Sequence, residues 1–552
     1  MRWNSFIKPR PNEALSAWII FPAIFAALCL SHLTLLRLPY YWDEAGYYIP
    51  AAWDFFRTGS LIPFTTLSNA HPPLPSIYLA ISWKLFGFCP LVTRLSVLVV
   101  AALGLTAVNR LATRLVGVAS VALWTLLLTA LYPVWFAQST LAHADIFAAA
   151  CTLWGLVYAL PAQNRMLPSK PWVAALWFAL AALCKETAIV IPLTLAAISL
   201  FESRRAPGMA RIRLWRDSAW LAGCALPLVA WFAYHRFKTG FLFGNPEFLR
   251  YNAQANLDPS RFFAALVHRL LHLTAHMNLF VPVLMAIAAL LLEPRTEEGK
   301  GNWDQRSADE PDADGQPRPG IHPAALRRIF ILLLANALFF SVLGGALLTR
   351  YLLPLYPLIL LVAVYTFYRR VPWWQCMAAF SAVAFILGIF INPPYGFAPE
   401  DNLSYARIVR LHQAGIAQLS QRYPGATVLS AWPVSDELTR PELGYLQQPF
   451  AVEVIPDFTA DEIARAAQQQ EKFTAALVFS TKDEQSSPLF TLGAASRAAD
   501  VRYFGLHHDL PPEEIARQLH GTLVWQQHDH GQWIALIRFN RQLDARLVPE
   551  NH

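Results

Sequence analysis

Residues 329–368 read IFILLLANALFFSVLGGALLTRYLLPLYPLILLVAVYTFY, forty positions with a single formal charge, Arg350. A helix that crosses the hydrocarbon core of a bilayer takes about 20 apolar residues, so this stretch predicts two spans with a turn near Arg350. It excludes a single water-soluble fold. Moving outward, residues 117–164 contain only Asp145 among Asp, Glu, Lys and Arg. Apolar segments at 15–36, 91–108, 115–133, 143–161, 172–184, 187–201, 217–235, 270–292, 329–347, 351–368 and 372–391 predict about eleven spans. The first follows Arg2, Lys8 and Arg10, is span-length and lacks a small-residue cleavage site, so it reads as a retained helix rather than a signal peptide.

Over 552 residues, 55% are hydrophobic and 15% charged, against roughly 25% charged in soluble domains. The net charge of +7 hides two opposed terms: residues 1–392 carry 31 basic and 18 acidic side chains, residues 393–552 carry 13 and 19. With the N-terminus in the cytoplasm, 20 of those 31 fall in inner loops, the distribution the positive-inside rule requires. An odd number of spans then places the C-terminal region outside. The basic excess orients spans, and no nucleic-acid partner is needed to explain it.

The expected fold class is an α-helical polytopic membrane protein with a C-terminal extracytoplasmic α/β domain. Residues 1–392 form the polytopic domain, with long outer segments at 37–90 and 236–269. The inner stretch 293–323, polar, Gly/Pro-rich and acidic in its middle, has the composition of a disordered linker. Residues 393–552 form the second domain: helices at 401–420 and 460–469, buried strands at 426–431 and 475–479, and a hairpin of 522–526 with 533–539 around 528–531. It contains no glycine-rich nucleotide fingerprint. The six cysteines include no CxxC pair, so neither a thiolate zinc site nor a disulfide framework is indicated.

The charges that stand out flank the outer ends of the segments. Tyr40-Tyr41-Trp42-Asp43-Glu44-Ala45-Gly46-Tyr47-Tyr48 opens the first outer segment, and Asn69-Ala70-His71-Pro72-Pro73-Leu74 lies further along it. Asp145 begins one span, Lys185-Glu186 joins two short ones, and Arg350-Tyr351 forms the turn already noted. Aromatics at such positions form an interfacial belt in any membrane protein. Ionisable residues at the membrane boundary are costly, and they are retained for function or for pairing. His268, His272 and His276 recur at every fourth position, one stripe of a helix. Such a stripe either lines a wet cavity or offers imidazoles to a divalent metal, the one candidate cofactor.

Trp42-Asp43-Glu44-Ala45-Gly46-Tyr47, His71-Pro72-Pro73-Leu74, Ala144-Asp145, Leu183-Cys184-Lys185-Glu186 and Arg350-Tyr351-Leu352-Leu353-Pro354 occur in the order found in the C superfamily of membrane glycosyltransferases. The chain resembles most nearly glycosyltransferase family 39, which includes protein O-mannosyltransferases and aminoarabinose transferases. The resemblance implies sugar transfer from a polyprenyl-phosphate donor to a hydroxyl of a lipid, glycan or protein acceptor at the outer face, with inversion. It implies Asp43 as catalytic carboxylate supported by Glu44, and His71, Asp145, Lys185, Glu186, Arg350 and Tyr351 as substrate-binding residues. A carboxylate can take the acceptor proton, and cations can meet the leaving phosphate. Where the aminoarabinose transferase carries Glu-Lys before the proline, this chain has Ala70 and His71.

The alternative reading is a transporter or lipid flippase with an accessory outer domain. Such proteins place their charges near the bilayer midplane, on broken helices in repeated halves. Here the charges sit at segment ends and no internal repeat is evident.

Overall fold

The computed structural model describes residues 11–162, 170–244, 259–293, 320–343, 345, 347–480 and 508–539. Most of the 293–323 linker and the middle of the 236–269 segment lie outside the described residues. The chain divides into two compact units. The first comprises residues 1–37, 50–393 and 400–403; the second comprises 38–49, 394–399 and 404–552. Relative to a single boundary after 392, residues 38–49 group with the C-terminal part and residues 400–403 return to the helical part.

The helical unit is built from the apolar segments read above. In a bilayer every backbone N–H and C=O must be paired internally, which a helix achieves within one segment. By length and composition, Pro90–Val116, Glu186–Ser203, Pro323–Val342 and Thr349–Arg370 are long enough to cross a membrane. Ile19–Ser31, Leu74–Phe86, Ala119–Leu131, Ala144–Ala159, Pro171–Cys184 and Trp374–Phe390 are shorter apolar helices. Large apolar side chains such as Leu30, Phe86, Phe237 and Leu291 point outward. That is the pattern of a surface solvated by lipid, where exposure of apolar groups costs nothing.

Two segments expected as single spans are broken. Residues 217–235 divide between Gly208–Gly223 and Leu226–Thr239; Pro227 has no N–H to extend the first helix and suits the first turn of the second. Residues 270–292 turn by 100°. Pro259–Thr274 ends there, Met277 and Asn278 take left-handed backbone angles, and a new helix runs Phe280–Leu290. Leu74–Phe86, inside the first outer segment, is an apolar helix outside the eleven expected spans.

Close packing brings the site-bearing helices together. A Cβ on Gly155 would lie 2.5 Å from the Phe178 ring, so Ala144–Ala159 and Pro171–Cys184 approach at a distance only glycine permits. This contact fixes the helices that carry Asp145 and Lys185.

In the C-terminal unit a five-stranded sheet comprises β1 (Thr427–Ala431), β2 (Ala451–Ile455), β3 (Ala475–Phe479), β4 (Thr522–Asp529) and β5 (Gln532–Arg538). Their order is β2-β1-β3-β5-β4. β1 pairs in parallel with β2 and β3, while β5 is antiparallel to β3 and β4. The hairpin turns through His530 and Gly531, both with positive φ, the geometry that matches strand twist. β1 and β3 are nearly continuous apolar runs because they occupy the middle of the sheet. Edge strand β2 is only partly buried, with Ile455 inside and Ala451 and Val454 exposed. Ser404–Arg422 packs Leu411, Ile416 and Leu419 on the sheet core.

Candidate functional site

The helical unit gathers four of the sequence candidates into one buried network. Asp145 lies in the first turn of Ala144–Ala159, where the helix dipole favours an anion. Lys185 takes an extended conformation at the break between Pro171–Cys184 and the following short turn Glu186–Ile189. Arg350 and Tyr351 belong to the 3-10 segment Thr349–Leu355. Lys185 Nζ donates to Asp145 Oδ1 at 2.5 Å, and Arg350 Nε lies 3.3 Å from Asp145 Oδ2. The Lys185 ammonium also sits 4.1 Å from the centre of the Tyr351 ring, a cation–π contact strengthened by desolvation. Asp145, Thr152, Lys185, Asn336, Arg350 and Tyr351 line a single cleft.

Each ion removed from water costs several kcal/mol, and only a well-arranged partner offsets that. Asp145 serves two cations at once, and Arg350 completes its pairing with Glu400. Glu400 is joined by Asp401, which accepts from Thr349 and pairs with His276 Nε2 at 3.0 Å. The sequence reading missed Glu400 and Asp401 because it assigned everything after 392 to the C-terminal domain. The signal was available: adjacent carboxylates shortly after an apolar span, the same feature that singled out Asp43-Glu44. Arg269 was also missed. Buried beneath Tyr351, it donates to the carbonyls of Phe340 and Leu348 at 3.2 and 2.9 Å.

His71 and Glu186 form a separate pair, with Nδ1 2.9 Å from Oε2. The Asn69 side chain accepts from the His71 amide, and the Trp231 indole donates to the Ala70 carbonyl, so the loop is pinned at the turn. In this arrangement Glu186, from the joint between two spans, meets the His71 imidazole.

Asp43 and Glu44 belong to the C-terminal unit. Glu44 is fully buried and accepts the Tyr41 amide at 3.0 Å, closing a tight turn that continues into the single π-turn Glu44–Tyr48. Asp43 is half-buried. Trp42, immediately before it, has φ of 42°, a backbone conformation that a bulky residue holds only when its surroundings enforce it.

This architecture can be compared with known proteins. The family model described as dolichyl-phosphate-mannose-protein mannosyltransferase matches residues 70–231. The crystal structure of ArnT from Cupriavidus metallidurans bound to undecaprenyl phosphate superposes with a TM-score of 0.54 at 15% identity, covering 94% of this chain and 98% of that one. Its apo form gives 0.53 at the same 15%, covering 95% and 98%. The chain has the fold seen in ArnT. No curated protein matches the sequence. The expected resemblance to glycosyltransferase family 39 thus holds in the family model and in the ArnT-like fold.

The bend interrupts the histidine stripe. His268 and His272 lie on Pro259–Thr274, whereas His276 falls beyond its end, in the bend. Their rings face one another, with centroids 4.4 and 5.1 Å apart in sequence order, and His276 turns to Asp401. Among the described residues no group of three or more His, Cys, Asp or Glu is arranged to hold a metal ion.

Proposed function

We propose that this chain transfers a sugar from a polyprenyl-phosphate donor to an acceptor hydroxyl, with inversion at the anomeric carbon. The observation that carries the reading is the buried Lys185–Asp145–Arg350 cluster lining a cleft in an ArnT-like bundle. The donor is a phosphodiester that becomes a phosphate monoester on departure, so the site must receive growing negative charge. Lys185 and Arg350 offer an ammonium and a planar guanidinium. Asp145 holds them in place before the donor arrives, and the phosphate takes over part of that pairing. In the reaction the acceptor oxygen bonds to the anomeric carbon, its proton passes to the Asp43 carboxylate, and the bond from that carbon to the phosphate oxygen breaks. The electron pair leaves on the polyprenyl phosphate. Glu44 shapes the turn that bears Asp43. We place the protein in a bacterial inner membrane, with the N-terminus cytoplasmic and the C-terminal domain periplasmic. The sugar is a hexose or a pentose, and the acceptor hydroxyl belongs to a lipid, glycan or protein.

The experiment compares cells that carry the wild type with cells that carry Asp43→Asn, using mass spectrometry of lipids, glycans and proteins. A sugar-sized mass present only with the wild type identifies the product. Identical profiles at equal membrane levels of both proteins would sink the assignment.

A further inference from the structure

We propose that the C-terminal α/β domain is the platform that holds the acidic turn in its working shape, with Trp432 as the positioning residue. The sequence places residues 38–49 directly after the first apolar segment, yet they cluster with the C-terminal unit. Four contacts within that unit account for this. The Tyr40 amide donates to the Leu443 carbonyl at 3.2 Å, and the Tyr445 hydroxyl donates to the Tyr40 carbonyl at 3.0 Å. The Tyr41 ring lies 5.7 Å from that of Tyr405. The Trp42 ring meets Trp432 edge to face at 4.8 Å. Such aromatic pairs attract one another beyond simple burial through their ring quadrupoles.

Trp432 reaches both sides of Asp43 in the chain. It packs on Trp42, immediately before, and it covers Gly46, where a Cβ would stand 2.9 Å from the indole Cζ2. Only glycine admits the indole there. The indole is itself aimed: its N–H donates to the Asp436 carboxylate, one turn along Val434–Thr439. The chain of support therefore runs from Asp436 through Trp432 to Trp42 and Gly46. It explains how Trp42 persists with φ of 42°, since a left-handed tryptophan needs surroundings that over-determine it. The inference rests on the reading of Asp43 as base. A base displaced by about 1 Å loses on the order of 10²-fold in rate, so a domain that fixes this turn governs catalysis without touching substrate.

The test uses the full chain, purified in nanodiscs and expressed in cells, with Trp432→Ala, Trp432→Phe and Tyr445→Phe. Three quantities are read: amide exchange over residues 41–48, the Asp43-dependent product in cells, and binding of undecaprenyl phosphate. For Trp432→Ala, exchange over 41–48 should speed at least tenfold and product should fall at least tenfold, while undecaprenyl phosphate binding changes less than twofold. Trp432→Phe should recover most of both losses, and Tyr445→Phe, which removes one hydroxyl and keeps its ring, should give a smaller change in the same two readouts. Faster exchange with undiminished product makes the contact merely structural and overturns the proposal, as does unchanged exchange. If Asp43→Asn itself leaves product intact, the base assignment fails and this proposal fails with it. If Asp43→Asn abolishes product and Trp432→Ala does not, the platform alone is refuted.

Discussion

Two pairs of adjacent carboxylates follow apolar segments in this chain, and they are treated in opposite ways. Glu400 and Asp401, in the helical unit, are both buried and are held by Arg350, Thr349 and His276. Asp43 and Glu44, in the C-terminal unit, sit in a turn built from Tyr40, Tyr41, Trp42 and Trp432. Glu44 is consumed in closing the turn, and Asp43 remains half-buried. The residue types are the same, so the neighbours decide the role. Arg350 and His276 hold Glu400 and Asp401, whereas aromatic rings fix the backbone around Asp43 and Glu44.

Exchange of the two pairs' variants breaks or sharpens that contrast. The largest expected effect is Asp43→Asn, which should lower product formation by about 10²–10⁴-fold, the range of a lost general base, with the unfolding temperature in detergent unchanged. Glu400→Gln should do the reverse. It leaves Arg350 short of a buried anion, a loss of about 3–5 kcal/mol, visible as a lower unfolding temperature with residual activity in proportion to folded protein. A stable Glu400→Gln protein with no activity would move Glu400 from scaffold to chemistry. Next in size, Lys185→Ala should weaken undecaprenyl phosphate binding in native mass spectrometry by about 10- to 100-fold, the value of one charged hydrogen bond. Equal binding would remove Lys185 from the donor site.

The smallest effect belongs to Asp436. Burial pushes its carboxyl above the ordinary carboxylate range, against the opposing pull of Arg440 and the Trp432 indole. A raised folded value binds the proton more tightly than the unfolded chain does. That contribution is therefore complete below the unfolded value of about 4 and is lost as pH rises through the folded one. Asp436→Asn keeps an acceptor oxygen and does not ionise. Its stability relative to wild type should rise slightly from pH 4 to pH 7 in thermal unfolding. A constant difference across that range would show that the group does not titrate there.

Much of this could be read without coordinates, and particular residues show where reading stopped. The forty positions around Arg350 gave two helices and a turn, and the helices do occupy Pro323–Val342 and Thr349–Arg370. Central strands β1 and β3 and the hairpin were legible as apolar runs and a Gly-containing turn. The breaks at Cys224–Ala225 and at Met277–Asn278 were not, because a proline or a left-handed residue inside an apolar run leaves mean hydropathy unchanged. Edge strand β2 escaped because it is five residues long and interrupted by Glu453.

The sequence by itself determined the solvent of each part of the chain, the approximate helices and strands, and the short list of ionisable groups worth attention. These are local properties, set by apolar content and periodicity over 5 to 20 residues. Only the tertiary structure decided which of those groups meet. Asp145 finds Lys185 across 40 positions, Arg350 finds Glu400 across 50, His71 finds Glu186 across 115, and Tyr445 finds Tyr40 across 405. Such partnerships follow from close packing, including the approach at Gly155 and the indole over Gly46. Packing depends on shapes brought together from distant segments, and no window of sequence contains them.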